Sequence, residues 1–302
     1  MSSLLTNSAA MTALQTLRSV SANLQTTENR ISTGQRVATA SDNSAYWSIA
    51  TSMRADNAAL SAVSDSLGLS AATVDTEYTA LTSVLGSDGK SGLTKLQALL
   101  VEAKTAGIDR NKIQSEITQI QQDMKNTANS ATFNGVNWLS TTATTPTTVN
   151  LVSSFSRVGG TPTINTITVT VANYSLYTST QTGILDKVSG TSSIDTINIA
   201  ALTDSAADQT TLDGLITQVT TAINTVSQSA ADLGAIKNRI SNNSDFVKSL
   251  MDSVTRGIGQ LVDADMNAES TRLQALQTQQ QLGVQALSIA NQNSQSILSL
   301  FR

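Results

Sequence analysis

The chain contains no cysteine and no histidine, and only 13% of its 302 residues are charged. Without cysteine it has no disulfides and no thiolate metal sites, and without histidine it lacks the commonest metal ligand and general base. The net charge of −4 gives no basic surface that would attract nucleic acid or anionic lipid. We therefore expect no enzyme: no catalytic residue, no metal site and no cofactor, and neither nucleic acid nor a membrane as a partner.

Long apolar runs are lacking as well. No stretch approaches the roughly 18 consecutive apolar residues that a membrane span requires. The first seven residues contain neither a basic region nor a continuous apolar region, so we expect no secretory signal peptide. Taken alone, these criteria predict a cytoplasmic protein.

Proline is rare and confined to the middle of the chain, at Pro146 and Pro162. Because proline breaks helices, the two proline-free flanks are free to form long ones. In the first flank, Leu17, Leu24 and Ile31 follow a seven-residue spacing that predicts a helix ending at Gly34.

A second helix is predicted to begin near residues 41–43, where Ser, Asp and Asn suit an N-cap. From Ala50 to Leu85 the mainly apolar positions of one helix face are spaced alternately by three and four residues without interruption. This spacing is typical of a bundled or coiled-coil helix. Two polar residues on this pattern, Asn57 and Ser64, could fix its register. Shorter helices are predicted over residues 93–105 and after Gly107, the latter ending before the Asn-Gly turn at 134–135.

Helical periodicity returns at Leu212 and continues to the end of the chain. Gly257 and Gly259 are expected to interrupt it, and a last helix is predicted from about Ala264 to Phe301.

Between the flanks, Thr, Ser and Val replace Ala, Leu and Gln. Residues 164–171 and 194–199 predict strands, so we expect a small β-rich unit, with a disordered Ser/Thr linker as the alternative. The predicted fold is therefore mainly α: a long helical bundle or coiled coil formed by the N- and C-terminal segments, with a small β-rich central insertion. Each helical flank has an apolar stripe that it cannot bury alone, so the two flanks are expected to meet.

Few individual residues indicate chemistry. Asp263 and Asp265 could hold a divalent cation, but acidic residues at a helix start are explained by the helix dipole. Trp47 and Trp138 are predicted to be core or helix-packing residues. What remains is long amphipathic helices with few charges and many amides, which favour packing against other helices and indicate an assembly protein.

Short motifs in both flanks resemble those of bacterial flagellins, and they occur in that family's order over residues 1–140 and 206–302. They are Arg30-Ile31-Ser32-Thr33-Gly34, Ala40-Ser41-Asp42-Asn43-Ser44-Ala45, Met53-Arg54-Ala55, Phe133-Asn134-Gly135, Leu233-Gly234-Ala235, Asn238-Arg239, Asp263-Ala264-Asp265-Met266 and Gln295-Ser296-Ile297-Leu298-Ser299-Leu300-Phe301-Arg302. Residues 45–50 look like those of the shorter flagellins of alphaproteobacteria.

The resemblance implies a structural subunit that polymerises into the flagellar filament for swimming. It implies inner-tube helices at 1–45 and 262–302, a helical rod domain at 46–140 and 206–261, and an outer domain at 141–205. It also implies export through the flagellar type III apparatus with a chaperone, so the expected location is extracellular and the cytoplasmic prediction is replaced. The implied partners are further copies of the chain, sibling flagellins, and the hook-associated junction and cap proteins.

The polymerisation interface is expected on the apolar stripes of the two ends, because such stripes gain order by burying apolar residues against neighbours. The residues are Leu17, Leu24, Ile31, Leu276, Leu287, Ile297, Leu300 and Phe301.

Flagellins of other lineages carry an innate-immune receptor epitope on a rod-domain helix. Residues 93–99 of this chain resemble a degenerate copy of that epitope. Lys95 and Gln97 stand at the positions of two arginines and Ala98 at that of a glutamate, whereas Glu116 matches the neighbouring helix.

Alternatives remain open at this point: a hook–filament junction protein, or a coiled-coil secreted effector or adhesin. A flagellin carrying a metallopeptidase is excluded because that enzyme's motif requires histidine.

Overall fold

The computed structural model describes residues 7–142, 145–158, 161–189 and 192–299, with side chains except at positions 158, 162 and 293–299. Six helices dominate this part of the chain, four before the central region and two after it. They are α1 (Ser8–Thr33), α2 (Ser44–Leu85), α3 (Gly92–Glu102), α4 (Arg110–Ser130), α5 (Ala206–Val262) and α6 (Met266–Ser299). The predicted fold class, long helical ends around a small strand-containing insertion, is confirmed.

The helix ends show why these segments begin and stop where they do. The Asn7 side chain accepts a hydrogen bond from the Ala10 N–H and so caps α1, which ends at Gly34 with φ of +69°. At the start of α2, Asn43 accepts from the Tyr46 N–H, and Asp109 caps α4. These ends agree with the N-cap and glycine signals in the sequence.

The chain divides into two compact units, residues 1–58 with 251–302 and residues 59–250. The smaller unit contains the α1–α6 pair and a small core of Val37, Ala50 and Val262. The larger unit has a core built from α2, α3, α4 and α5. Its fully or almost fully buried apolar residues include Leu60, Leu67, Leu81, Leu93, Leu96, Leu100, Ile117, Val219, Val226, Leu233 and Ile240.

The central insertion consists of a hairpin and short irregular segments. Strands β2 (Thr148–Val158) and β3 (Thr161–Thr170) pair antiparallel with a register shift between Val152 and Ser154. Two very short strands, β1 (Ser140–Thr141) and β4 (Tyr177–Thr178), pair parallel. The strand predicted at 164–171 is thus confirmed over most of its length.

The second strand predicted for the insertion is wrong. A 3-10 turn over Ile194–Thr196 replaces it. The side chain of Gln121 on α4 donates to the Ile194 carbonyl at 2.8 Å, and Gln114 accepts from the Ile199 N–H at 2.7 Å. Because helix side chains satisfy these backbone groups, the segment needs no strand partner.

The expected helix break at Gly257 and Gly259 is also wrong, since α5 runs through both residues to Val262. A Cβ at Gly257 would lie 2.9 Å from the Met53 Cε, so the end of the Met53 side chain packs against this glycine. Of the two tryptophans, Trp138 is fully buried, whereas Trp47 is 37% exposed, so the core prediction holds only for Trp138.

Candidate functional site

The terminal helices α1 and α6 form an antiparallel pair. Asn7 at the start of α1 donates to the Ala290 carbonyl near the end of α6 at 3.0 Å. At the other end of the pair, Arg30 Nη1 lies 3.0 Å from Glu269 Oε1. The start of α1 therefore lies beside the end of α6, and the end of α1 lies beside the start of α6. The Arg30–Glu269 ion pair fixes the register at the start of α6.

The facing stripes of α1 and α6 are thin. Val20, Thr27 and Leu276 are buried, and Leu17 reaches α6 beside Gly283, where a Cβ would lie 3.1 Å from the Leu17 Cδ1. The absence of a side chain at Gly283 thus makes room for this leucine. A pair held by so few buried side chains gains only a small amount of stability from within the subunit.

The structure places the predicted interface residues mainly on or beside this contact. Leu17, Leu24, Ile31 and Leu287 are half-buried, and Leu276 is buried. Ile297 belongs to the α6 backbone, but its side chain lies outside the described residues, as do Leu300 and Phe301 altogether.

A second set of apolar residues on the same pair points into solvent, and sequence reasoning missed it. Its members are Met11, Leu14, Leu282, Val284 and Ile289, with exposed fractions of 61%, 38%, 57%, 55% and 65%. We call these five residues the outer apolar set. Which apolar residues of the pair stay exposed depends on the register between the two helices, so the sequence alone gives no clear signal for this set. Exposed apolar side chains concentrated on a helix pair are typical of an association surface.

Backbone hydrogen bonds join the segment that follows α1 to the segment between α5 and α6. The Arg36 N–H donates to the Val262 carbonyl at 2.6 Å, and the Ala264 N–H donates to the Gly34 carbonyl at 2.9 Å. Asp42 accepts hydrogen bonds from the backbone and hydroxyl of Thr39, and these bonds hold the pKa of its carboxyl below the usual value.

Asp265 caps α6 by accepting from the N–H groups of Asn267 and Ala268, which is the helix-start role expected for this acidic pair. Among the described residues, no group of three or more Asp or Glu side chains could hold a metal ion. No helix in the described part of the chain is long and apolar enough to cross a membrane.

The four residues compared with the receptor epitope lie on α3 and α4 of the larger unit. Lys95 Nζ is 3.8 Å from Glu116 Oε2, and Gln97 donates to the Thr220 hydroxyl on α5 at 2.8 Å. Ala98 is exposed. The structure thus brings Lys95 and Glu116 together, and it engages Gln97 within the subunit rather than leaving it free for a partner.

Comparison with known proteins gives matches over both helical flanks. The family model of the bacterial flagellin N-terminal helical region matches residues 4–144, and that of the C-terminal helical region matches residues 216–301. Among curated relatives, "Flagellin C" of Rhizobium meliloti (strain 1021) is 44% identical over 329 aligned residues. "Flagellin" of Brucella melitensis biotype 1 is 45% identical over 303 residues, and "Flagellin A" of R. meliloti (strain 1021) is 39% identical over 403. Each of these alignments covers 100% of both chains.

Proposed function

This chain belongs to the bacterial flagellin family, and from that premise we propose how its described surfaces assemble the flagellar filament. As a family member it is an extracellular structural subunit that polymerises into the filament and serves motility. Its similarity to relatives from alphaproteobacteria agrees with the resemblance of residues 45–50. Its role is structural, and we propose that it has no catalytic activity.

The outer apolar set is the observation that carries the proposed mode of assembly. These side chains remain exposed on the α1–α6 pair of one subunit, and a polymer of identical subunits provides a surface that covers them. Leu17, Leu24, Ile31, Leu276 and Leu287 are proposed to act within the subunit, holding the pair together so that the outer apolar set is displayed. Ile297, Leu300 and Phe301 are proposed to continue the same interface.

The domain roles follow the family. Residues 1–45 and 262–302 are proposed to form the inner tube, and 46–140 with 206–261 the surrounding rod domain. Residues 141–205 are proposed to face outward. The backbone ties between 34–37 and 262–264 lie near the proposed boundary between inner tube and rod, and they give that boundary a defined structure.

The proposed partners beyond further copies of the chain are sibling flagellins and the hook-associated junction and cap proteins. The export apparatus and a chaperone are proposed for the stage before assembly. A chain without cysteine suits transport in an unfolded form, because it cannot be trapped by disulfides.

One experiment tests the role of the outer apolar set separately from the packing between α1 and α6. The double variant Leu282→Asp, Ile289→Asp places charges on two residues of the outer apolar set, and it should leave the circular dichroism of the monomer unchanged while abolishing elongation of filament seeds. The matched control, Leu282→Met with Ile289→Leu, keeps both side chains apolar and should elongate normally. Elongation of the Asp variant at the wild-type critical concentration would contradict the proposed role of these side chains.

The α3–α4 face is proposed to be a poor ligand for the innate-immune receptor. Lys95 cannot present the planar fork of donors that arginine offers, and Gln97 and Ala98 carry no charge. Glu116 keeps its position, but it lies beside Lys95 within the subunit.

A further inference from the structure

A carboxyl group lies fully buried on α2 in the larger unit. Glu77 is 0% exposed, and its Oε1 accepts a hydrogen bond from the Trp138 backbone N–H at 2.8 Å. Its other oxygen, Oε2, is buried with no hydrogen-bond partner among the described residues. An ionised carboxylate accepts several hydrogen bonds in water, so ionisation at this position leaves a buried charge poorly compensated.

The segment held by Glu77, residues 131–139, joins α4 to the insertion. The Trp138 ring is fully buried, and its carbonyl accepts from the Ser175 hydroxyl at 3.2 Å. The next carbonyl, that of Leu139, accepts from the N–H groups of Leu176 at 2.8 Å and Tyr177 at 3.0 Å. Glu77 thus holds the segment next to the point where the parallel strands β1 and β4 both begin.

Two lysines on the neighbouring helices form ion pairs with other residues rather than with this carboxyl. On α5, Lys237 bonds to Asp75, and on α4, Lys125 lies 3.0 Å from Asp195. Further ionisable groups on α4, on α5 and in the insertion include Asp123, Asp232, Tyr174, Tyr177 and Asp186. None of these groups contributes to the pKa of Glu77, which burial raises to about 7 while the Trp138 N–H opposes the shift.

We propose that Glu77 is a pH-sensitive latch: its neutral carboxyl holds residues 131–139 against α2, and its ionisation loosens that segment together with the base of the insertion. The latch does not depend on polymerisation, because every group in it lies in the larger unit of one subunit. Opening lets water reach Oε2 and supplies the hydrogen bonds that the closed pocket lacks.

The direction of the pH effect follows from the two protonation equilibria. Burial holds the pKa of Glu77 at about 7 in the closed pocket, and the pKa returns to the ordinary glutamate value of 4.5 when the segment is open. The neutral acid is therefore favoured in the closed state, so the latch is fully stable below pH 4.5 and is weakened as the pH rises towards 7. From these two values, the ratio of open to closed segment should rise roughly 70-fold between about pH 5 and pH 8.

Amide hydrogen exchange of residues 131–139 in full-length monomer tests this inference. Glu77→Gln keeps an oxygen to accept from the Trp138 N–H but cannot ionise. The ratio of the wild-type to the Gln-variant exchange rate, taken at equal pH, should rise by the stated factor between pH 5 and pH 8. Glu102→Gln removes an exposed carboxyl from α3 and should keep the wild-type pH dependence. A pH-independent ratio would overturn the proposal.

A second measurement, an NMR titration, uses the wild-type chain and so does not depend on whether a variant at position 77 folds. The chain contains five glutamates, so selective ¹³C labelling of their carboxyl carbons gives five titration curves. One curve should have a midpoint near 7, and the indole resonance of Trp138 should shift with the same midpoint. The proposal would be refuted if all five midpoints lay near the ordinary glutamate value. It would also be refuted if the Trp138 indole signal did not shift with the glutamate curve whose midpoint is near 7.

Discussion

Replacing Leu17 and Leu24 together by aspartate should block polymerisation while the larger unit stays folded. Both leucines are half-buried on α1, and Leu17 packs beside Gly283 of α6. Full burial of a leucine is worth about 1.5–3 kcal/mol, so half-burial gives about 1 kcal/mol at each site. Placing a carboxylate in a partly buried apolar position adds about 1–3 kcal/mol for each substitution.

The two sites together therefore cost about 4–8 kcal/mol, and the lower value corresponds to a roughly thousandfold rise in the critical monomer concentration. Sedimentation of seeded reactions over a range of monomer concentrations measures that quantity directly. Near-ultraviolet circular dichroism from the buried Trp138 should stay unchanged, because this residue belongs to the larger unit. Leu17→Met with Leu24→Met is the control and should polymerise normally. Normal filaments from the Asp variant would refute the assignment of these leucines to assembly.

Three further outcomes are expected. We propose that the natural chain gives little receptor response, and Lys95→Arg, Gln97→Arg and Ala98→Glu together should restore part of it, since lost interface anchors cost about 2 kcal/mol each; strong activation by the unmodified monomer in a reporter assay would show that the epitope is misplaced. Gly92→Ala should lower the melting temperature of the larger unit by about 2–4 °C for each kcal/mol of stability lost, because φ is +62° and a Cβ would lie 2.2 Å from the Val84 carbonyl oxygen; an unchanged melting curve would count against that packing. Asn57→Leu should raise stability by about 1 kcal/mol, because its Oδ1 is buried without a partner among the described residues, and should bias filaments to one shape; a wild-type range of waveforms across pH and salt would contradict this role.

The helix boundaries were predictable because local chemistry decides them. Gly34 supplies the left-handed conformation at the end of α1, and the Asn134–Gly135 turn has φ of +50° and +78°. Gly257 carries the same sequence signal, but α5 continues through it, and the flexible end of the Met53 side chain lies beside it. The sequence alone does not distinguish a glycine that ends a helix from one that admits a neighbour.

Of the candidate site, the sequence predicted only the apolar stripe along each terminal helix. Seven-residue spacing finds Leu17 and Leu24, but a two-helix pair covers a narrow face, so Met11 and Ile289 stay exposed outside it. Which apolar residues face the partner helix and which face solvent depends on the register with α6, and the spacing within α1 does not contain that information. Glu77 had a weak signal, since it follows Val74 by three residues and precedes Leu81 by four and so lies on the buried face of α2.

The α1–α6 pair also has a consequence for the time course of synthesis. The hydrogen bond from Asn7 to Ala290 joins residues 283 positions apart, so the first helix to be made pairs with the last. At about 5–20 residues per second, α1 waits some 10–50 s on the ribosome before its partner exists. A chain cut short by a premature stop or a protease never completes the pair, however well its larger unit folds. If the α1–α6 pair forms the interface as proposed, a chain without α6 lacks part of the surface through which subunits join, so assembly itself selects against chains that have lost this helix.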